Sequence, residues 1–141
     1  MLEYEFVSVV VPAYNDARAL KKTLVSLNSQ TYPKDKFEII AVDDGSADDT
    51  RECVESTWKI NDTPIIYLTQ AHKGPAAARN LGIVNARGSI IAFVDSDCVA
   101  AADWLEKISD GYDDAKIAGI GGRIMAAPTS SAISRYCAYI G

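Results

Sequence analysis

Apolar positions along the chain follow two alternating rhythms. Four short, mainly apolar runs, FVSVVV (6–11), FEIIAV (37–42), TPIIYLT (63–69) and SIIAFV (89–94), read as strands. The first is β-branched and apolar on both faces, which suits a central parallel strand covered on each side. Between the first two runs the period lengthens, with Leu20, Leu24 and Leu27 at i, i+4 and i+7 behind Asn15 and Asp16. Either polar residue can cap a helix that must stop before Pro33. After the second run, Ser46 with Asp49 three residues on predicts another helix start, with Thr50, Val54 and Trp58 on one face. Pro75 suits the first turn of a third helix, and DWLEKISDGY (103–112) reads as a fourth. KIAGIGGRIM (116–125) is a weaker fifth strand, loosened by Gly119, Gly121 and Gly122. Strand alternating with helix predicts an α/β fold, a mostly parallel sheet with helices on both faces. Only the stretch after Met125, AAPTSSAISRY, changes character towards a loop or linker.

Composition narrows the possibilities. A chain of 141 residues with 48% apolar content is sized for one domain with a sizeable core. A formal net charge of −5 argues against a general nucleic-acid-binding surface. Any phosphate held here must be held locally, by a metal ion or a few placed cations. Cys53, Cys98 and Cys137 are odd in number and widely spaced, which suggests reduced thiols in a cytoplasmic setting. Acidic residues precede the first apolar run, unlike a signal peptide. No uninterrupted apolar run approaches the roughly 18 residues a membrane span needs.

Candidate chemistry collects where the strands end. In an open α/β sheet, ligands bind beyond the carboxyl ends of the strands, near a switch in strand order. Pro12, Ala13, Tyr14 and Asn15 follow the first run; Asp43, Asp44 and Gly45 follow the second; Asp95, Ser96 and Asp97 follow the fourth. Two carboxylates at i and i+2 on a strand end can point the same way, and their oxygens suit a hard cation such as Mg²⁺ or Mn²⁺. The competing reading is a helix cap, since Asp often follows a strand and opens the next helix. Tyr14 offers a flat face to a base, and a carboxylate such as Asp44 can accept from a ring N–H. Asp43 is expected to hold its turn through backbone hydrogen bonds. His72, the chain's single histidine, is expected to be structural or exposed rather than catalytic, and Lys73 to be solvated.

Four stretches carry a resemblance. VSVVVPAYND, AVDDGSADDT, GPAAARNLG and FVDSD stand in the order and spacing of the GT-A glycosyltransferases of family 2, which the chain resembles from about Val7 to about Arg123. The resemblance implies a Rossmann-like nucleotide-diphospho-sugar transferase fold and a divalent cation as cofactor. By position, Asp97 is the metal ligand, Asp95 sits near the ribose or the metal, and Asp44 accepts from the base, commonly uracil. Pro12, Ala13 and Tyr14 line the nucleoside pocket, and Arg79 lies near the nucleotide, where the start of its helix favours anions. Asp44→Asn is accordingly expected to weaken UDP binding with little effect on melting temperature.

The resemblance implies an inverting transfer from a nucleotide-diphospho-sugar, UDP-linked, to a hydroxyl of a carbohydrate, lipid-carrier or protein acceptor. That reaction needs a base for the acceptor proton, and no later acidic motif of the family's kind occurs in these residues, so the catalytic base is unassigned. The expected organisation is a donor-binding GT-A portion over 1–125, with 126–141 a linker or the start of an acceptor-binding part. The expected location is the cytoplasm, or the cytoplasmic face of a membrane in a longer parent protein. The alternatives are a nucleotide-binding module without turnover and a sugar-phosphate nucleotidyltransferase, which should carry a glycine- and basic-rich loop after the first strand. A dinucleotide-dependent oxidoreductase would need G-x-G-x-x-G at that place, and a phospho-acceptor receiver domain would place its acidic pair after strand one.

Overall fold

The computed structural model describes residues 3–60, 62–112 and 117–122. Four parallel strands, β1 (Val7–Ala13), β2 (Phe37–Asp43), β3 (Ile65–Thr69) and β4 (Ile90–Phe93), form one sheet in the order β3-β2-β1-β4. Helices α1 (Ala17–Asn28), α2 (Thr50–Trp58) and α3 (Pro75–Asn85) connect successive strands, and α4 (Trp104–Gly111) follows β4. Two compact units divide the chain, residues 1–109 and 110–141, and the sheet lies wholly in the first.

The order β3-β2-β1-β4 fixes the layers. Connections β1-α1-β2 and β2-α2-β3 step outward in one direction, whereas β3-α3-β4 returns past β1 to the opposite edge. With right-handed crossovers throughout, α1 and α2 lie on one face and α3 on the other. On the α3 face, Val10, Ile40, Val42 and Ala78 form a buried cluster joined by Ile66, Leu68, Leu81, Ala86 and Ile91. The alternate strand residues Val9, Val11 and Ile39 point the opposite way and are fully buried too. Leu20, Leu24 and Leu27, the predicted apolar stripe of α1, have no exposed surface. Gly82 lets α3 press onto β1, because a Cβ there would stand 2.4 Å from Val10 Cγ1.

Pro12 sits inside β1 without breaking the ladder. Asp44 N–H donates to Ala13 O, and Val94 N–H to Val10 O, so Pro12 turns its nitrogen towards β4. By then β4 has ended at Phe93, opposite Val10. The missing proline N–H therefore has no partner to disappoint. At the other end of the sheet, Glu38 has no exposed surface, and its carboxylate accepts from Ser8 Oγ at 2.7 Å and from Arg87 N and Nε at 3.0 and 2.8 Å. Burial pushes its carboxyl up, but the Ser8 hydroxyl and Arg87 outweigh it and hold the group below its usual range.

Three local expectations need correction. Helix α2 opens at Thr50 rather than behind Ser46: Asp48 Oδ1 accepts from Thr50 N and Oγ1, while Ser46 Oγ accepts from Asn15 N. Its buried face is Thr50, Val54 and Thr57, leaving Trp58 57% exposed, because Thr57 rather than Trp58 completes the stripe. Of the fifth strand, residues 117–122 have no regular secondary structure, as a segment with glycine at 119, 121 and 122 allows, and the rest lies outside the described residues. The expected boundary at 125/126 falls outside them as well.

Candidate functional site

Strand order reverses between β1 and β4, and the carboxyl ends of these strands and of β2 converge there. The loops after β1 and β2 are tied together: Asn15, with φ 49°, donates its N–H to Ser46 Oγ at 2.9 Å, and its Oδ1 accepts from Ala47 N at 2.7 Å. Asp43 holds the second loop as expected, accepting from Ser46 N at 2.8 Å and from the Tyr67 hydroxyl at 2.5 Å. Burial first, and then that bond to an anion, push the Tyr67 hydroxyl up to about 12.

Asp44 lies at the centre of a ring of donors. Its Oδ1 accepts from Gln70 Nε2 at 2.7 Å and Lys73 N at 2.8 Å; its Oδ2 accepts from Gly74 N at 2.9 Å and lies 2.9 Å from His72 Nδ1. The Gln70 amide leads in holding this carboxyl down to about 2, against burial and with help from the Lys73 and Gly74 amides and His72. Asp44 is 3% exposed, so these groups close around it. Gly45 makes the turn possible, with φ at +78° and the place of a Cβ only 2.9 Å from His72 N. Above this ring the imidazole of His72 stacks on Tyr14, centroids 4.1 Å apart and planes 22° from parallel.

The β4 end is built differently. Asp95 and Asp97 are both exposed, and Arg79 on α3 donates to Asp95 Oδ1 at 2.7 Å. Among the described residues Asp97 meets only the Cys98 thiol, at 3.7 Å. The two aspartates are not helix caps, because α4 begins at Trp104, seven residues beyond Asp97. A polar edge of α1 holds the segment instead. The Thr23 hydroxyl lies 2.8 Å from Ser96 O and 2.7 Å from Cys98 O, and Ser26 Oγ accepts from Ala100 N at 3.0 Å. Just past α1, Gln30 donates to Ala101 O at 2.7 Å and accepts from Leu105 N at 3.0 Å.

Ligand atoms of Asp95, Asp97 and Cys98 lie within 4.8 Å of one another, close enough to share one cation. Burial, then the charges of Asp97 and Asp95, push the Cys98 thiol up, whereas Asp95 and Asp97 offer carboxylate oxygens. A donor set of exposed carboxylates, one lacking a basic partner, fits a hard divalent ion that completes its shell with phosphate and water.

Pro12, Ala13, Tyr14, Asp44, Arg79, Asp95 and Asp97, the residues singled out from sequence, all border one cleft of about 400 Å³. Asp16, His72, Pro75 and Ser96 complete its wall. Sequence reasoning passed over Gln70, whose signal was its place directly after β3 on the same edge, and assigned His72 no part in the site. Lys73 contributes its backbone N–H rather than its ammonium. Thr23 had no readable signal beyond a polar residue on an otherwise apolar stripe.

Comparison with known proteins places the chain in a family. Glycosyltransferase AglE of Haloferax volcanii is 43% identical over 102 residues, which cover 72% of this chain and 34% of AglE. The structure of mannosyltransferase PcManGT from Pyrobaculum calidifontis, in complex with GDP-Man and Mn²⁺, superposes with a TM-score of 0.78 at 29% identity over 82% of this chain and 34% of that one. Staphylococcus aureus TarS 1-349 in complex with UDP-GlcNAc superposes with a TM-score of 0.67 at 34% identity, over 72% of this chain and 29% of that one. The chain thus spans about a third of the length of each of these relatives. Residues 8–136 match Glycosyl transferase family 2, and the chain belongs to that family.

Proposed function

We propose that the cleft binds the nucleoside diphosphate of a nucleotide-sugar, with UDP preferred, as the donor-binding part of an inverting glycosyltransferase. One observation carries the reading: a single cleft joins a stackable ring, a buried acceptor carboxylate and two exposed carboxylates. The base packs against Tyr14 and turns its ring N–H to Asp44, beside Pro12 and Ala13. Uracil carries such a donor, whereas adenine has none on its ring and would leave the carboxylate poorly matched. Asp97, with Asp95 beside it, holds Mg²⁺ or Mn²⁺ against the diphosphate. The ion supplies positive charge that eases departure of the diphosphate as a leaving group. Arg79, at 2.7 Å from Asp95, orients that carboxylate and adds a cation near the phosphates.

Two relatives support the donor class, one solved with GDP-Man and Mn²⁺ and one with UDP-GlcNAc. The sugar goes to an acceptor hydroxyl of a carbohydrate, lipid carrier or protein, with a base from outside the residues named here. Cys53 and Cys98 are free thiols, consistent with the reducing cytoplasm where nucleotide-sugars are used. Among the described residues no helix is long and apolar enough to cross a membrane.

A calorimetric panel of UDP, GDP and ADP with Mn²⁺ tests the base assignment. UDP should bind most tightly and ADP most weakly. Equal binding of UDP and ADP would contradict the role given to Asp44. A sugar-transfer assay separates an enzyme from a nucleotide-binding module without turnover.

A further inference from the structure

The ring of donors around Asp44 leaves no room for a base. Its carboxylate is already engaged by Gln70 Nε2, Lys73 N, Gly74 N and His72 Nδ1, and its side chain is only 4% exposed. The Tyr14 ring, in turn, already carries a stacked partner. Both places a nucleobase would take are held by one side chain, the imidazole of His72. Its Nδ1 faces two acceptors, Asp44 Oδ2 at 2.9 Å and Asp44 O at 3.2 Å, so that nitrogen carries a proton and acts as donor.

Resting on the nucleotide-binding reading above, we propose that His72 is a placeholder for the nucleobase, displaced when the nucleotide binds. The imidazole is a flat ring with an N–H on its edge, stacked on Tyr14 and aimed at Asp44, as a uracil would be. Two of the four donors, Gln70 and His72, are side chains, and of these only His72 also covers the Tyr14 ring. Lys73 N and Gly74 N belong to the backbone that opens α3, and removing them would unfold the loop. The His72 side chain is 56% exposed and rotates out without disturbing the chain. While the cleft is empty, His72 keeps the Tyr14 face covered and the Asp44 charge satisfied. A base must outcompete it in both contacts, so one ring that cannot donate to Asp44 fails to recover what His72 gives up. Selection for a base bearing a ring N–H is thereby sharpened by a competitor within the fold.

Because His72 is the chain's single histidine, its ring protons form one resolved set in a proton spectrum. The test uses the 141-residue chain with Mg²⁺, with UDP and inorganic diphosphate as probes. In the empty protein the imidazole signals should be displaced by the Tyr14 ring current, and UDP should shift them to solvent-like positions while diphosphate leaves them in place. By calorimetry, His72→Ala should bind UDP about three- to tenfold more tightly, the range of one aromatic stacking pair, with diphosphate affinity unchanged. UDP binding that leaves the imidazole signals in place, or a His72→Ala variant that binds UDP more weakly, would overturn the placeholder and leave the nucleotide site intact. Failure of UDP to bind at all would overturn both readings.

Discussion

Four donors converge on Asp44, whereas among the described residues Asp97 meets only a thiol. The first carboxylate is therefore part of the loop's structure, and the second is free for a ligand. Asp44→Asn should weaken UDP binding and, contrary to the expectation from sequence, lower the melting temperature, since an amide turns an N–H towards groups that themselves donate. The same contacts set an acid limit. A carboxyl held down to about 2 in the fold, against about 3.9 in an unfolded chain, contributes stability that is complete above pH ~4 and lost as pH falls towards ~2. Urea midpoints measured down that range should converge for wild type and Asp44→Asn; parallel curves would show that Asp44 is not the group responsible. Asp97→Asn should weaken metal-dependent UDP binding at least tenfold, about 1.4 kcal/mol, and leave melting unchanged. Asp95→Asn should do less, with Arg79 released from its partner. That Asp44 would bear on the site was legible at its strand end. Its burial was not, because the groups that close around it come from residues 70–74, nearly thirty positions away.

At the scale of elements, α1 has two jobs on one cylinder. Leu20, Leu24 and Leu27 anchor it to the core, while Thr23 and Ser26 grip the segment that presents Asp95 and Asp97. Thr23→Val keeps the shape and removes the hydroxyl, which should cost about 1–2 kcal/mol of stability and loosen Mn²⁺-dependent nucleotide binding. An unchanged urea midpoint would show that the hydroxyl holds nothing. Packing of α3 on β1 depends on Gly82, so Gly82→Ala should destabilise the fold by about 1–3 kcal/mol through overpacking against Val10, again read from denaturant midpoints. The strands were legible because each is a short run dominated by apolar residues, and α1 because its leucines keep a helical period. Ser46 misled because its hydroxyl is taken by Asn15 N in the loop after β1, 31 positions away, and Trp58 because the neighbouring Thr57 completes the buried stripe of α2.

At the scale of the whole molecule, one topological fact organises the site. The sheet runs β3-β2-β1-β4, so the ends of β1, β2 and β4 meet where the order reverses, and carboxylates far apart in sequence share one cleft. An acidic chain with net charge −5 thereby gathers carboxylates where the proposed donor's diphosphate would lie, and that reading requires positive charge there, from Arg79 and from a divalent cation. The most direct measurement is calorimetric titration of UDP into the 141-residue chain, first with Mn²⁺ and then with excess chelator. Saturable binding with Mn²⁺, lost on chelation and restored by added metal, is the result this account predicts; binding of equal strength with and without chelator would contradict it.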